Sequence, residues 1–352
     1  MKIKSVKYNQ KKFFLKEKDF FIKNSWFLVG HLNDLRNEND FKTFDILGNS
    51  VLLFKFNNKI KAFTNICSHR GCRIKTKFKG NEKLVCPYHA WSYDDEGYPK
   101  NIPMKKECFD ISKKDFKKLR LENWNVDYCG NFIFLSSRKN TKTLKSYLGA
   151  QYSYLKDISH KIKECIHSAQ CTWKCNWKIC LENSIDEYHA VFVHPTTFKK
   201  LVNPKPKYYF EGNVMGMDLP LSDSYIKDFD KLKKYFSKNS NKYSHFLIFP
   251  LSTIATTMEH SFFLQRYMPI DEHNTLVTSE IYVPNLNKKI IPSSVKSFFI
   301  DSCKNFNETV FNEDKLICEN VHDSLKQKQV DTIIGKYEKR IELFRKKMSR
   351  II

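Results

Sequence analysis

Hydrophobic and polar positions change their period along the chain, and each change marks a part of the molecule. Between residues 41 and 66, FKTFDILGNSVLLFKFNNKIKAFTNI sets short β-branched and aromatic runs between the turn signals LGN and FNNK, which predicts consecutive hairpin strands. Similar signals continue through LVCPYHAWSYDDEGYP and YCGNFIFL, so a small all-β domain is expected over residues 40–145. From about 143 to 165 the spacing turns helical, with Leu144, Tyr147, Leu148 and Tyr152 in phase, and a second domain is expected over 146–352. Within it, residues 207–285 include SHFLIFPLSTIATTM, SFFLQRYMPI and LVTSEIYVP, which read as strands of a large antiparallel sheet. From about Ser297 onward, amphipathic runs such as VFNEDKLICENV and YEKRIELFRKKMSRII read as closing helices, with Phe344 and Met348 on one face. Residues 1–39 are expected to form an N-terminal segment packed on the larger domain. The fold class is α+β.

Size agrees with this division, since 352 residues exceed what one core usually organises. Hydrophobic residues at 41% and aromatics at 14% place the chain among globular proteins. No run approaches the roughly 18 apolar residues that a membrane span needs. The opening MKIKSVKYNQKKFF lacks an apolar core followed by a small-residue cleavage site, so a cytoplasmic location is expected. A net charge of +23 invites a nucleic-acid reading. Composition argues against it: of 61 basic residues only 9 are Arg, the better reader of phosphates and base edges, and the Lys are scattered through every segment. Neither nucleic acid nor membrane is expected as a partner, although a basic face could steer an acidic electron-transfer protein. Eleven cysteines, an odd number in a long chain, point to metal ligation or free thiols ahead of a disulfide framework.

Four residues carry the first chemistry. Cys67 and His69 lie in CSHRGC, Cys86 and His89 in CPYH, and sixteen residues separate His69 from Cys86. Each pair sits in a turn-rich loop, so two loops of adjacent hairpins can converge on one site. Zinc also accepts two Cys and two His, but structural zinc fingers place a Cys pair before a His pair. One Cys and one His from each loop suit an asymmetric [2Fe-2S] cluster with two thiolates on one iron and two imidazoles on the other, which is built to pass electrons. NICSHRGCRI and CPYHAWSYDDEG resemble the Rieske domain of the ring-hydroxylating, non-haem iron oxygenases. They are less similar to respiratory Rieske proteins, because Tyr88 and Trp91 stand where a disulfide cysteine and a serine donor would be. That departure implies a free thiol at Cys72 and, with fewer donors to the sulfurs, a lower reduction potential.

The second constellation is NWKICLENSIDEYHAVFVHP, residues 176–195. Asp186 and His189, three apart, share a helical face. His194 lies about 140° further round, so the imidazoles converge only where the turn is widened or ends, and Pro195 is compatible with such a break. Two His and one carboxylate on one face of a ferrous iron leave positions open for dioxygen. The segment resembles the iron-binding segment of Rieske oxygenase catalytic domains. The resemblance implies that His189 and His194 bind iron, that Asp186 bridges His189 to a Rieske histidine, His89, of a neighbouring subunit, and that Asn183 lies near the iron. Within FNEDKLICENVHD the position similar to the family's third ligand is Asp314, with Glu313 and Asp323 as competitors. Cys171, Cys175 and Cys180 read as free thiols, on a strand that would point Cys180 away from the other two.

Over nearly the whole chain, the resemblance implies the α subunit of a terminal oxygenase: a Rieske domain and a helix-grip catalytic domain. Its expected cofactors are a [2Fe-2S] cluster and a mononuclear Fe(II). Electrons from NAD(P)H would arrive through a separate ferredoxin or flavin reductase, since no GxGxxG fingerprint is present. The expected assembly is a homotrimer. The expected reaction inserts oxygen from O2 into a small organic substrate by aromatic-ring or C–H hydroxylation. Oxidative N- or O-demethylation and monooxygenation of a choline- or betaine-like quaternary amine remain alternatives, and an electron carrier without catalysis is a further one. Met258, His260, Phe262 and Phe263 are candidates for the substrate pocket, although alternate residues of a strand could equally face the core.

Overall fold

The computed structural model of the chain describes residues 6–137, 142–203, 205–231, 235, 240–284, 291–328, 330 and 332–351. Backbone contacts divide it into two units, Ile22–Leu144 and Met1–Phe21 with Lys145–Ile352.

The smaller unit is built from short antiparallel strands joined by tight turns. In chain order these are β1 (Phe27–His31), β2 (Asp40–Ile46), β3 (Asn49–Phe56), β4 (Lys59–Thr64), β5 (Lys79–Asn81), β6 (Ser92–Tyr93), β7 (Pro99–Asn101), β8 (Asn123–Cys129) and β9 (Phe132–Ser136). Seven of them form one sheet in the order β1-β9-β8-β4-β3-β2-β5, and β6 pairs with β7 separately. The LGN signal becomes the β2/β3 turn, where Leu47 and Gly48 both take positive φ as a two-residue hairpin of matching twist requires. The expected boundary near residue 40 falls differently in backbone contacts. Residues 22–39 group with the small unit because β1 adds to its sheet, with Phe27 opposite Leu135 and His31 opposite Phe132. The core gathers Phe41, Leu52, Phe54, Phe63, Trp91 and Tyr93 around Cys67 and Cys86. Burying several such rings, at about 1.5–3 kcal/mol each, anchors the loops that carry those cysteines.

The larger unit contains the expected antiparallel sheet. Its strands are β10 (Glu164–Trp173), β11 (Lys207–Glu211), β12 (Val214–Pro220), β13 (Lys242–Ile248), β14 (Ser252–Thr257), β15 (Ser261–Pro269) and β16 (Thr275–Val283). They run in the order β10-β16-β15-β14-β13-β12-β11. The pairing sets Met217 opposite His245, His245 opposite Ala255, and Ala255 opposite Phe263, so these four form one row on one face. Helices used below are α1 (Lys11–Asn24), α2 (Gln151–Lys161), α3 (Trp177–Ser184), α4 (Ala190–Val193), α5 (Ser293–Gln327) and α6 (Lys339–Met348). The 35-residue α5 lies along the sheet's β10 edge, with Phe311 edge-on to Trp173 at 5.0 Å and Asn307 accepting from Ser279 Oγ at 2.8 Å. Phe344 and Met348 of α6 are fully buried, as their spacing predicts. Phe344 and Phe21 both meet Trp177 edge-on, at 5.9 and 5.5 Å, so closing helix and N-terminal helix clamp the start of α3.

Candidate metal centres

Two loops of the smaller unit repeat one backbone turn. Cys67 N–H donates to Cys72 O and Gly71 N–H to Cys67 O, at 2.8 and 2.9 Å. Cys86 N–H donates to Trp91 O and Ala90 N–H to Cys86 O, at 2.8 and 3.1 Å. Gly71 and Ala90 occupy the same place in the turn, and both have left-handed φ, +73° and +57°. No side chain blocks a Cβ at Gly71, so glycine is there for its backbone, and Ala90 holds the same conformation with a Cβ that disfavours it. Both turns present a buried Cys followed by a half-buried His, and the two imidazoles lie 4.6 Å apart. His69 stacks on Trp91 at 4.7 Å, nearly parallel. Its Nδ1 is buried without a hydrogen-bond partner, and burial together with His89 and Arg70 holds the ring neutral. A neutral imidazole with an unclaimed buried nitrogen, beside two buried thiols, is a donor set suited to a Rieske cluster.

Tyr93, which sequence reasoning passed over, adds a donor. Its hydroxyl lies 3.0 Å from Cys67 Sγ and accepts from Ser68 N–H at 3.1 Å. Burial and Cys67 push the Tyr93 pKa far up, so the hydroxyl keeps its proton to donate to sulfur. The eleven cysteines, Cys72 among them, are free.

In the larger unit three residues expected to act together come together. His189 Nε2 and His194 Nε2 are 3.3 Å apart, and Asp314 Oδ1 lies 3.4 Å from the first and 3.1 Å from the second. Metal–ligand bonds of about 2.1 Å give neighbouring donors separated by about 3.0–3.4 Å, depending on coordination angle, so the triangle fits one ion. The opposite ring nitrogens are backed by carboxylates: His189 Nδ1 faces Asp186 Oδ2 at 3.4 Å, and His194 Nδ1 meets Glu313 Oε2 at 2.6 Å. That backing leaves the Nε2 lone pairs pointing at the carboxylate oxygen, an arrangement that calls for a cation at its centre. In the metal-free chain a proton takes that role. Burial alone would lower the His189 pKa, but Asp186 and Asp314 hold it up at about 10. Asp314, which burial would raise, is pulled well below the usual carboxylate range by the two imidazoles.

The local path differs from the predicted helix. α3, capped by Asn176 whose side chain accepts from Lys178 N–H at 3.0 Å, ends at Ser184. Asp186 then accepts from Tyr188 N–H at 2.7 Å in a turn that delivers His189 to the start of α4, and His194 follows its end. The imidazoles meet because the helix stops between them. Among the acids of α5, Asp314 joins the histidines and Glu313 backs one of them, whereas Asp323 pairs with Lys326 at the surface. The strand expected through TWKCNWKIC stops at Trp173, so Cys175 and Cys180 flank the start of α3 and their sulfurs meet at 3.1 Å instead of diverging.

A cavity reaches the triad and is lined by Phe198, Tyr243, Phe263 and Phe306 as well as by Asp186, His189, His194 and Asp314. Phe198 touches Tyr243 and Phe306 at 5.3 Å each, forming a continuous aromatic wall. Of the four pocket candidates Phe263 alone lines this cavity. Alternation along β15 sends Phe262 to the other face, Met258 packs with Phe229 in the core, and His260 stacks on Phe229 at 4.6 Å. Asn183 lines a second hollow that shares Asp186 and His189 with the first. Sequence reasoning also missed His245, Glu187 and Arg340, which line the cavity from β13, the turn after α3, and α6.

A family model for the Rieske [2Fe-2S] domain matches residues 25–123, and one for the ring hydroxylating alpha subunit catalytic domain matches 153–352. The chain is 24% identical over 283 residues to the carnitine monooxygenase oxygenase subunit of Escherichia coli (strain K12), covering 79% of this chain and 74% of that protein. It is 29% identical over 188 residues to the anthranilate 1,2-dioxygenase large subunit of Burkholderia cepacia, covering 49% and 43%. A solved quaternary ammonium Rieske monooxygenase, described for carnitine oxidation and inter-subunit electron transfer, superposes with a TM-score of 0.82 at 20% identity, covering 99% of this chain and 95% of that one.

Proposed function

The chain belongs to the ring-hydroxylating alpha subunits, whose catalytic-domain model covers residues 153–352, and from that premise we propose how its residues divide the work. It is a Rieske-type terminal oxygenase subunit, an oxidoreductase whose cofactors are a Rieske [2Fe-2S] cluster and a mononuclear iron. When bound, the cluster supplies single electrons and the iron activates dioxygen for insertion into a small organic substrate. Cys67, His69, Cys86 and His89 would hold the cluster, and His189, His194 and Asp314 the iron. Glu313 orients His194 by accepting from its Nδ1–H, Asp186 faces His189 Nδ1 from 3.4 Å, and the aromatic wall keeps water from the reacting face.

Asp186 serves as the link to His89 of a neighbouring copy in a homotrimer. In support, Asp186 borders a hollow open to the outside. Tyr188, Phe192 and Leu316, near it in sequence or beside Asp314, are 57%, 67% and 62% exposed, which is apolar area that a neighbour would cover. A separate ferredoxin or flavin reductase supplies the electrons.

For the substrate we favour a small quaternary ammonium compound, oxidised at a C–H bond next to nitrogen. Four aromatic side chains around the cavity suit a methylated cation, and carnitine monooxygenase stands among the relatives. Aromatic-ring hydroxylation is the second reading, favoured by the likeness to anthranilate dioxygenase.

The observation that carries the reading is the triangle of two Nε2 atoms and one carboxylate oxygen with 3.1–3.4 Å edges. Metal analysis of the purified protein should give about three irons and two acid-labile sulfides per chain. Dithionite reduction should give the EPR signal of a histidine-ligated cluster. His189→Ala should lose one iron and keep that signal; loss of the cluster in this variant, or zinc in place of iron, would refute the assignment. Oxygen uptake with a surrogate reductase should rise with L-carnitine or glycine betaine, and a rise with anthranilate alone would select the second reading.

A further inference from the structure

One wall of the cavity carries a polar group that the metal chemistry does not use. Arg340 of α6 is 1% exposed and lines the cavity with Ser184, Glu187 and His245. Its Nε and Nη2 engage Glu187, whose other oxygen accepts from Tyr208 at 3.2 Å. Nη1 lies 2.8 Å from His245 Nδ1 and also reaches the His245 carbonyl at 3.4 Å. A guanidinium has no lone pair to offer, so His245 Nδ1 must be the acceptor, and the single proton of the neutral ring sits on Nε2. Burial and the adjacent cation keep the ring neutral. Nε2 has Ser184 Oγ at 3.4 Å, a long contact for an N–H donor. Its row neighbours on the sheet are Met217 and Ala255, whose side chains offer at most a weakly accepting thioether sulfur. Charge is already balanced within this group by Glu187 and Arg340, so the wall presents a fixed, uncharged donor to whatever fills the cavity.

We propose that His245 is a specificity-determining residue: locked by Arg340 as the Nε2–H tautomer, it receives an oxygen of the substrate, so the cavity selects small molecules that carry a carboxylate, carbonyl or hydroxyl oxygen over shape-matched ones that lack it. The proposal rests on the oxygenase reading for the reaction that follows binding, and its test separates the two. Binding to the iron-loaded full chain is measured by calorimetry without oxygen, using the matched probes L-carnitine and butyltrimethylammonium, and anthranilate and aniline. At least one oxygen-bearing probe should bind tenfold or more tighter than its partner. His245→Phe should abolish the preference, and His245→Gln, which restores an N–H at similar reach, should recover most of it. Nitrogen-15 NMR of histidine-labelled, iron-free protein should report the Nε2–H tautomer at His245, and Arg340→Met should disturb it. Equal binding within both pairs, no binding of either oxygen-bearing probe, an unchanged preference in His245→Phe, or an Nδ1–H tautomer would each overturn the proposal. Iron content measured on the same samples tells the failures apart: lost preference with iron retained removes the role of His245 alone, whereas wild-type protein without iron removes the oxygenase reading.

Discussion

At the scale of single residues, a proton and a metal ion compete for the point between His189, His194 and Asp314. The folded-state pKa of His189, about 10, lies above an ordinary imidazole near 6.5. The protonated ring therefore stabilises the metal-free fold fully below about pH 6.5, and the contribution is lost as pH rises toward about 10. Metal must displace that proton, so iron affinity is expected to climb across the same window, with about one proton released per iron at pH 7.5. Titrations in buffers of different ionisation enthalpy measure that release, and none at that pH would contradict the assignment. Tyr93 sets a second residue-scale expectation. One donor to Cys67 Sγ remains where respiratory relatives were expected to have more, and removing it in Tyr93→Phe should lower the cluster potential by ~20–60 mV, the equivalent of one ordinary hydrogen bond. EPR-monitored redox titration decides it, and an unchanged potential would show that the hydroxyl donates elsewhere.

At the scale of elements, α3 is held at its start by a pair that sequence patterns do not reveal. Lys178 Nζ and Glu17 Oε1 of α1 are 2.8 Å apart with both side chains at most 1% exposed, and Trp177 Nε1 donates to the other Glu17 oxygen at 2.9 Å. Burial pushes the Lys178 pKa down while Glu17 holds it up, so the ammonium depends on its partner. Glu17→Ala leaves that charge buried alone and should destabilise the larger unit by about 3–5 kcal/mol. Replacing both residues by Leu and Met should recover most of the loss. Differential scanning calorimetry compares the three proteins, and equal loss in single and double variants would mean that packing, not charge, is responsible. The elements themselves were largely legible: hairpin signals, the helical stretch before β10 and the amphipathic closing helices all report their own period. The turn at Asp186 was not, because i, i+3 spacing fits a helix and an Asx turn equally well. Its meaning came only from the hydrogen bonds of Tyr188 and His189.

At the scale of the whole molecule, the net charge of +23 is a field rather than a site. Electron delivery by an acidic ferredoxin should slow several-fold between about 0.02 and 0.3 M salt, as screening shortens the reach of that field. Stopped-flow reduction measures the rate, and salt independence would exclude steering. A sedimenting mass three times 41.9 kDa is the assembly expected of the purified protein. The two Cys-His loops and the His189/His194 pair stood out in the sequence because each is local and distinctively spaced, whereas Asp314, far downstream among Glu313 and Asp323, was singled out by resemblance alone. The cavity could not be read there, since its wall draws scattered residues from β12 to β15, α5 and α6, and only register and alternation decide which of two neighbours faces inward. Arg340 illustrates the point, for nothing in YEKRIELF marks one cation as interior. It also stands downstream of every proposed iron and cluster ligand, so during translation all ligands emerge before the side chain that fixes His245. A nascent chain halted short of residue 339 would already carry a full set of metal donors and yet leave Glu187 without its counter-charge. Quality control that senses only bound metal would pass such a product, and selectivity for cargo would be the property it lacked.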